Sequence, residues 1–289
     1  MKRTFPIFLI TCLCVFLFNG CMRFALSLSP SLFPNFAASI FEECDAELAR
    51  TAIPANLKLM EGLLKNDPEN RRILTSLSMG FAGYSLLFVE ADDPERASEL
   101  YLRAIDYGLG ALGDAGATLR NRETGKEDIQ KALRLFDKND LEPLFWTTLA
   151  WNAWINLNLD KPAALAQLSV SQACLERVLE MDAAYLHGLP HVLMGVGLAA
   201  QSPLFGGDPK KARIHFEEAI ELSDRKFFLV QYYFARYYAV RVQAKELFLD
   251  LLEEIIDGNP KELKDVCLIN RIMQREARNL KKQVDELFL

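Results

Sequence analysis

Two clusters of side chains in this sequence could bind a small ligand. The first holds all three tryptophans, Trp146, Trp151 and Trp154, which form one broad aromatic patch on a helix of about 100° per residue. Such a patch can line an apolar ligand channel. It can equally be core between stacked helices, because aromatic faces usually pack against neighbouring side chains. Both interpretations stay open at the level of sequence.

The second cluster places two arginines among tyrosines in the stretch QYYFARYYAVR (231–241). Arg236 or Arg241 at the end of an apolar pocket could hold a ligand carboxylate through paired hydrogen bonds. Alternatively, the arginine stems lie on aromatic rings at the protein surface. The candidate ligand-binding residues are Trp146, Trp151, Trp154, Tyr84, Tyr238, Arg236 and Arg241.

Metal and catalytic motifs are weak by comparison. His187 and His191 have the i, i+4 spacing of metal ligands on a helix, but Gly188 and Pro190 separate them and no Glu follows the first histidine. The sequence holds no G-x-S-x-G motif, and no Cys/His nucleophile pair stands out. We therefore expect no catalytic residue, no metal and no cofactor.

The N-terminus has the pattern of an export leader. A basic start, Met1-Lys2-Arg3, precedes an apolar run over residues 5–18, which is shorter than the about twenty residues that span a bilayer. Gly20-Cys21 then resembles a bacterial lipobox, although the preceding Phe18-Asn19 departs from the usual Leu-Ala/Ser. We expect a signal peptide over 1–20 and lipidation at Cys21. A plain secretory signal and a retained anchor are the alternatives.

The residues after this leader include a predicted tether and three further cysteines. Pro30 and Pro34 oppose one continuous helix, so residues 21–44 are interpreted as lipid anchor and tether. Beyond them remain Cys44, Cys174 and Cys267, which cannot all pair and show no zinc-type spacing. We expect these three to be buried free thiols.

Helix-forming residues dominate the rest of the chain, and no segment shows the alternation of a strand. Residues 93–105 and 208–220 match at a fixed shift, each reading Asp-Pro and then Ala-x3-aromatic-x2-Ala. This block resembles the second helix of a tetratricopeptide unit. The fold expected for 45–289 is all-α, with tetratricopeptide-like hairpins in a right-handed superhelix. A polar insertion over 113–140 interrupts it, as a loop followed by a helix from Lys126 to Phe136.

The net charge of the protein argues against one class of partner, nucleic acid. The formal net charge is -6, and the basic residues are scattered between carboxylates. Because an acidic surface without a basic patch repels phosphate backbones, we expect no nucleic-acid partner.

Further blocks resemble the T-component family of TRAP transporters, the tetratricopeptide lipoproteins called TatT. Among them are GFAGYSLLFV (80–89), WNAWINL (151–157), PLFGGDPKKARIHFEEAIELS (203–223) and ARYYAVRVQAKELF (235–248). The resemblance covers nearly all of 45–289. It implies a homotrimer that associates with the periplasmic P-component, the substrate-binding protein, and that handles a small ligand, apolar or carboxylated, near the membrane.

Three functions follow as hypotheses. The first is a non-enzymatic, lipid-anchored periplasmic accessory of a TRAP-type transport system. The alternative is a tetratricopeptide scaffold that presents a concave surface to peptides or to envelope proteins during assembly. A metal-dependent enzyme is the third, and it depends only on His187 and His191.

Overall fold

The computed structural model describes residues 32–121 and 123–288, and this part of the chain is built of helices and turns with no β-strand. The all-α fold class is therefore confirmed. The signal peptide, Cys21 and residues 22–31 lie outside the described residues. Within the described ranges, no helix combines the length and the apolar character needed to cross a membrane.

The helices are numbered in chain order. The first eight are α1 (Leu32–Phe41), α2 (Ala46–Leu64), α3 (Arg71–Phe88), α4 (Pro94–Ala111), α5 (Gly113–Arg120), α6 (Lys126–Arg134), α7 (Leu141–Leu157) and α8 (Pro162–Leu165). They are followed by α9 (Leu168–Asp182), α10 (Tyr185–Ala200), α11 (Pro209–Leu222), α12 (Phe228–Tyr233), α13 (Lys245–Asp257), α14 (Cys267–Lys281) and α15 (Val284–Leu287). A π-helical segment, Phe234–Ala239, continues α12.

The two repeated blocks begin helices as predicted. Asp93 caps α4 by accepting a hydrogen bond from the Arg96 backbone N–H at 3.1 Å, and Asp208 caps α11 in the same way. The following proline occupies the first turn of each helix, where its missing N–H costs no hydrogen bond. The Asp-Pro pair is therefore a local signal that the structure confirms.

The helices pack as neighbouring antiparallel pairs, most extensively α3 with α4 and α10 with α11, while α7 packs on the α3–α4 pair. The alanines of the repeat make this close approach possible, because Ala97 and Ala104 are fully buried with Tyr101 between them. Gly108 continues the same face: a Cβ atom there would lie 1.9 Å from Thr147 Oγ1. Only glycine lets α4 and α7 meet at this point.

Two segments are more regular than expected. Residues 113–120, predicted as an exposed loop, form α5, whose Leu119 is buried. In the predicted tether, residues 32–41 form α1, and Phe41 stacks on Trp146 with ring centroids 6.2 Å apart. Pro34 does not prevent this helix, because it lies in the first turn, where backbone N–H groups have no helical partner.

The expectation of three free thiols is wrong for two of them. Cys44 and Cys267 form a disulfide between residues separated by 223 positions, so the start of α14 is tied to the segment that follows α1. Cys174 is free and buried, as expected, and burial raises the pKa of its thiol to about 12. Sequence spacing could not reveal the pair, because it depends on how the first and last helices meet.

Candidate functional site

A cavity lies where α7, α10 and α12 meet the turn after α3, and we call it the central cavity. Its apolar lining comes mainly from leucines and a valine, Leu86, Leu149, Leu189, Leu193, Val196 and Leu229. Its polar lining is Glu90, Asn152, Asn156, Gln201, Tyr233 and Tyr237. A cavity wall that combines apolar side chains with converging polar groups is suited to a small molecule.

Glu90 is the carboxyl group in this wall. The Tyr101 hydroxyl donates a hydrogen bond to Glu90 Oε2 at 2.5 Å. Burial raises the pKa of Glu90 above its usual value, although the Tyr101 hydrogen bond and the charge of Arg236 act in the opposite direction. The other oxygen, Oε1, accepts no hydrogen bond from any described residue. The carboxyl group thus has one oxygen held and one available to a ligand.

Three amides add further hydrogen-bonding groups. Asn152 Nδ2 donates to the Thr148 carbonyl at 2.9 Å, and Gln201 Oε1 accepts from Gln172 at 3.2 Å. The remaining atoms, Asn152 Oδ1 and Gln201 Nε2, have no partner among the described residues, and neither has the Asn156 side chain. A ligand in the central cavity would therefore meet both donors and acceptors.

Two phenol rings close the same wall. The rings of Tyr233 and Tyr237 meet edge to face, with centroids 5.4 Å apart. Burial raises the pKa of both phenols, and the nearby charge of Glu90 adds to the rise. Both hydroxyls therefore stay protonated at physiological pH, and they offer the cavity neutral polar tips with aromatic faces.

The arginines named from sequence lie beside this wall and are not among the residues that line it. Arg236 Nη1 donates to the Tyr232 hydroxyl at 3.1 Å, and its guanidinium lies 5.9 Å from the centroid of the Tyr237 ring. Arg241 is exposed. Tyr238 is buried against Phe234. The structure thus separates the two arginines, and Arg236 takes the arrangement of an arginine stem on aromatic rings.

The tryptophans lie in the helical core. Trp146, Trp151 and Trp154 are 4%, 3% and 8% exposed, and Trp151 Nε1 donates to Gln167 Oε1 at 2.8 Å. The central cavity uses a different stripe of the same helix, at positions 149, 152, 153 and 156. Sequence reasoning missed this stripe. Its signal was the pair of asparagines, Asn152 and Asn156, four residues apart in the otherwise apolar second half of the helix.

Tyr84 lines a second cavity, which we call the N-terminal cavity. It lies between α1, α2 and α3, and its wall is almost wholly apolar. Phe36 and Ile40 of α1 cover one side, and Leu268, next to the disulfide-bonded Cys267, reaches it from α14. The structure therefore places Tyr84 apart from the other candidates.

The two histidines with metal-ligand spacing have different partners. His187 Nε2 lies 2.8 Å from Asp265 Oδ2, whereas His191 Nδ1 lies 3.0 Å from His215 Nδ1. Residues 186–188 have left-handed backbone angles, which break the regular helical spacing on which the pattern depended. Among the described residues, no three His, Cys, Asp or Glu side chains converge as a metal-binding group.

Comparison with known proteins identifies the family of this chain. The family model described as TRAP transporter T-component matches residues 42–288. An uncharacterized protein of Treponema pallidum (strain Nichols) is 24% identical over 271 residues, which span 88% of this chain and 84% of the relative. Because the family model covers almost the whole described body, the chain belongs to the TRAP transporter T-component family.

Proposed function

We propose that this protein is a non-enzymatic, lipid-anchored accessory of a TRAP-type transport system in the periplasm. In this role it binds the periplasmic substrate-binding protein and holds a small ligand in the central cavity. Family membership over residues 42–288 supports the transport role. The observation that carries the ligand-handling role is the central cavity itself, with its leucine-rich wall and converging polar groups.

The cavity wall favours a largely apolar ligand over a carboxylated one. Among the described residues that line it, Glu90 is the only acidic one, and none is a lysine, arginine or histidine. A ligand carboxylate would therefore approach a carboxyl group without a cation beside it, which is unfavourable in a region of low dielectric. Arg236 lies outside this lining and donates from Nη1 to the Tyr232 hydroxyl.

The periplasmic location is supported by the disulfide. Disulfides persist in oxidising compartments such as the periplasm and are rare in the cytosol. Cys44 and Cys267 join the first and last parts of the folded body, and buried Cys174 is left out. Together with the leader over 1–20 and the lipobox-like Gly20-Cys21, this pairing favours an exported protein held at a membrane by lipid on Cys21.

The proposed assembly is a homotrimer of tetratricopeptide-like right-handed superhelices. The paired packing of α3 with α4 and of α10 with α11 supports repeated hairpins. For partner binding, a useful surface lies next to the cavity: Leu204 is 93% exposed in the turn that follows Gln201. An exposed leucine beside a ligand cavity suits a contact with a second protein.

Native mass spectrometry tests the assembly and the ligand together. The sample is the chain without the leader and the lipid-bearing Cys21, residues 22–289, which we call the mature chain and purify without denaturation. We expect a trimer that releases a bound small molecule on activation. A monomer at high concentration with an empty cavity would contradict both parts. A trimer that co-purifies with peptides would instead favour the scaffold alternative.

A further inference from the structure

The role of the Glu90 carboxyl group is not explained by the family assignment. This group lies in the wall of the central cavity, and burial there raises its pKa. Removing a carboxylate from water costs free energy unless a cation or several hydrogen bonds compensate it. Within the described residues its single hydrogen bond comes from Tyr101. The free-energy cost of removing the Glu90 carboxylate from water is therefore only partly offset.

Arg236 does not complete the compensation. Its charge acts on Glu90, but its hydrogen bond goes to the Tyr232 hydroxyl. No ion pair joins Arg236 to Glu90 among the described residues. A half-buried carboxyl group without a directly paired cation can be completed by a cation of the ligand.

The Tyr101–Glu90 pair is also not required by the repeat. In the second block, Phe216 stands at the position of Tyr101 and packs fully buried against Phe234, with centroids 5.0 Å apart. The position that matches Glu90 is Phe205. The helical block therefore packs without a hydroxyl, so the hydroxyl of Tyr101 serves to hold the carboxyl group.

Aromatic rings lie on the cavity side of this carboxyl group. Tyr233 and Tyr237 line the same wall, near enough for the charge of Glu90 to influence both phenols. A carboxylate with two aromatic faces is the usual environment for a protonated amine, because the rings attract a cation and the carboxylate accepts its N–H groups. The apolar part of the ligand would then lie along Leu189 and Leu193.

We propose that the ligand of the central cavity carries a protonated amine, which binds between Glu90 Oε1 and the rings of Tyr233 and Tyr237. This inference rests on the proposed function, since it takes the central cavity as the ligand site. It narrows the ligand class to amphipathic amines, in which one cationic end is joined to a short apolar chain. Tyr101 positions Glu90 and does not contact the ligand.

Three probes of equal chain length test the inference by calorimetric titration into the mature chain at neutral pH: hexylamine, hexanol and hexanoate. We expect hexylamine to bind about tenfold more tightly than either of the others. Glu90→Gln should weaken hexylamine binding about tenfold and leave hexanol unchanged, because glutamine keeps the size and loses the charge. Glu142→Gln is the control and should change neither, because this carboxyl group also has a pKa raised by desolvation but lies outside the central cavity.

The other outcomes overturn the inference. Tighter binding of hexanoate would show that the site selects an anion. Equal binding of all three, no binding of any, or a Glu90→Gln variant that keeps its amine preference would each show that Glu90 does not select a cation. Circular dichroism of each variant confirms that it folds. Binding of the substrate-binding protein, measured on the same samples, is independent: if it persists while amine selectivity fails, only this inference falls.

Discussion

Tyr101 and Glu90 are joined by a hydrogen bond of 2.5 Å across the gap between α4 and the turn after α3. The tyrosine is fully buried at the centre of the first repeated block, whereas the carboxyl group reaches the central cavity. The bond therefore connects the packing of the repeat to the wall of the ligand site. The ionisation of Glu90 therefore affects both the packing of the repeat and the wall of the ligand site.

Stability should depend on pH through Glu90. Its pKa is raised in the folded protein, mainly by burial, so the folded state disfavours the charged form. Below the unfolded value of 4.5 both states are protonated and no cost arises; as pH rises through the folded pKa, stability is lost. Glu90→Gln should therefore gain stability relative to wild type at pH 7.5 and not at pH 4, measured by urea unfolding. The same difference at both pH values would contradict the argument, and exposed Glu99→Gln serves as control.

The His191–His215 pair should give a second pH dependence, with the opposite sign. Burial lowers the pKa of both rings, and for His215 the neighbouring His191 lowers it further, while Glu218 acts against both shifts. Because the unfolded chain binds protons more readily, stability is complete above pH about 6.5 and is lost as pH falls below it. The double variant His191→Gln/His215→Gln should lose less stability than the wild type between pH 7.5 and 5, measured by urea unfolding. An unchanged pH profile would argue against this.

Reduction of the Cys44–Cys267 disulfide should destabilise the body. It closes a loop of more than two hundred residues, and loss of a native disulfide typically costs about 2–5 kcal/mol because the unfolded chain gains freedom. The double variant Cys44→Ala/Cys267→Ala should unfold at a correspondingly lower urea concentration, whereas Cys174→Ala should not mimic it.

Thiol counting gives a direct check of the same pair. Denatured mature chain, residues 22–289, should label one thiol with maleimide before reduction and three after it. Three reactive thiols without reduction, in protein secreted to the periplasm, would contradict the disulfide.

Gly108 should tolerate a side chain much less well than Gly62, another glycine within a helix. A Cβ atom there would overlap Thr147 Oγ1 at 1.9 Å and approach Ser78 Oγ at 2.8 Å, so Gly108→Ala should cost about 1–3 kcal/mol through strain between α3, α4 and α7. Gly62 is the matched control, since nothing lies within 4 Å of its added Cβ. Gly62→Ala should stabilise by up to about 1 kcal/mol. Equal effects of the two substitutions, measured by urea unfolding, would contradict this packing.

Sequence patterns that span a few residues predicted much of the fold but little of the candidate site. The Asp93-Pro94 and Asp208-Pro209 helix starts depend on caps within a few residues, so they could be read from sequence and are confirmed. The Cys44–Cys267 pair and Glu90 could not be read in that way. Both depend on which distant helices meet, and Glu90 lies in a turn whose sequence shows no motif.

The ligand candidates show the same limit. Helical spacing grouped the tryptophans on one patch, but which stripe of α7 faces a cavity is decided by α10 and α12 packing beside it. The stripe with Asn152 and Asn156 lines the central cavity, whereas Trp151 donates a hydrogen bond to Gln167. Periodicity predicts the faces of a helix, and only the neighbouring helices determine which face surrounds an opening.

The central claim, that this chain is the T component of a TRAP-type system, is tested most directly by titrating it against the substrate-binding protein encoded beside its gene. Isothermal titration of the mature chain should show saturable binding, with a dissociation constant in the micromolar range typical of transient partners. Leu204→Glu should weaken it, because the charge would lie on the exposed apolar turn beside the cavity. Absence of any binding with both proteins at several hundred micromolar would contradict the account.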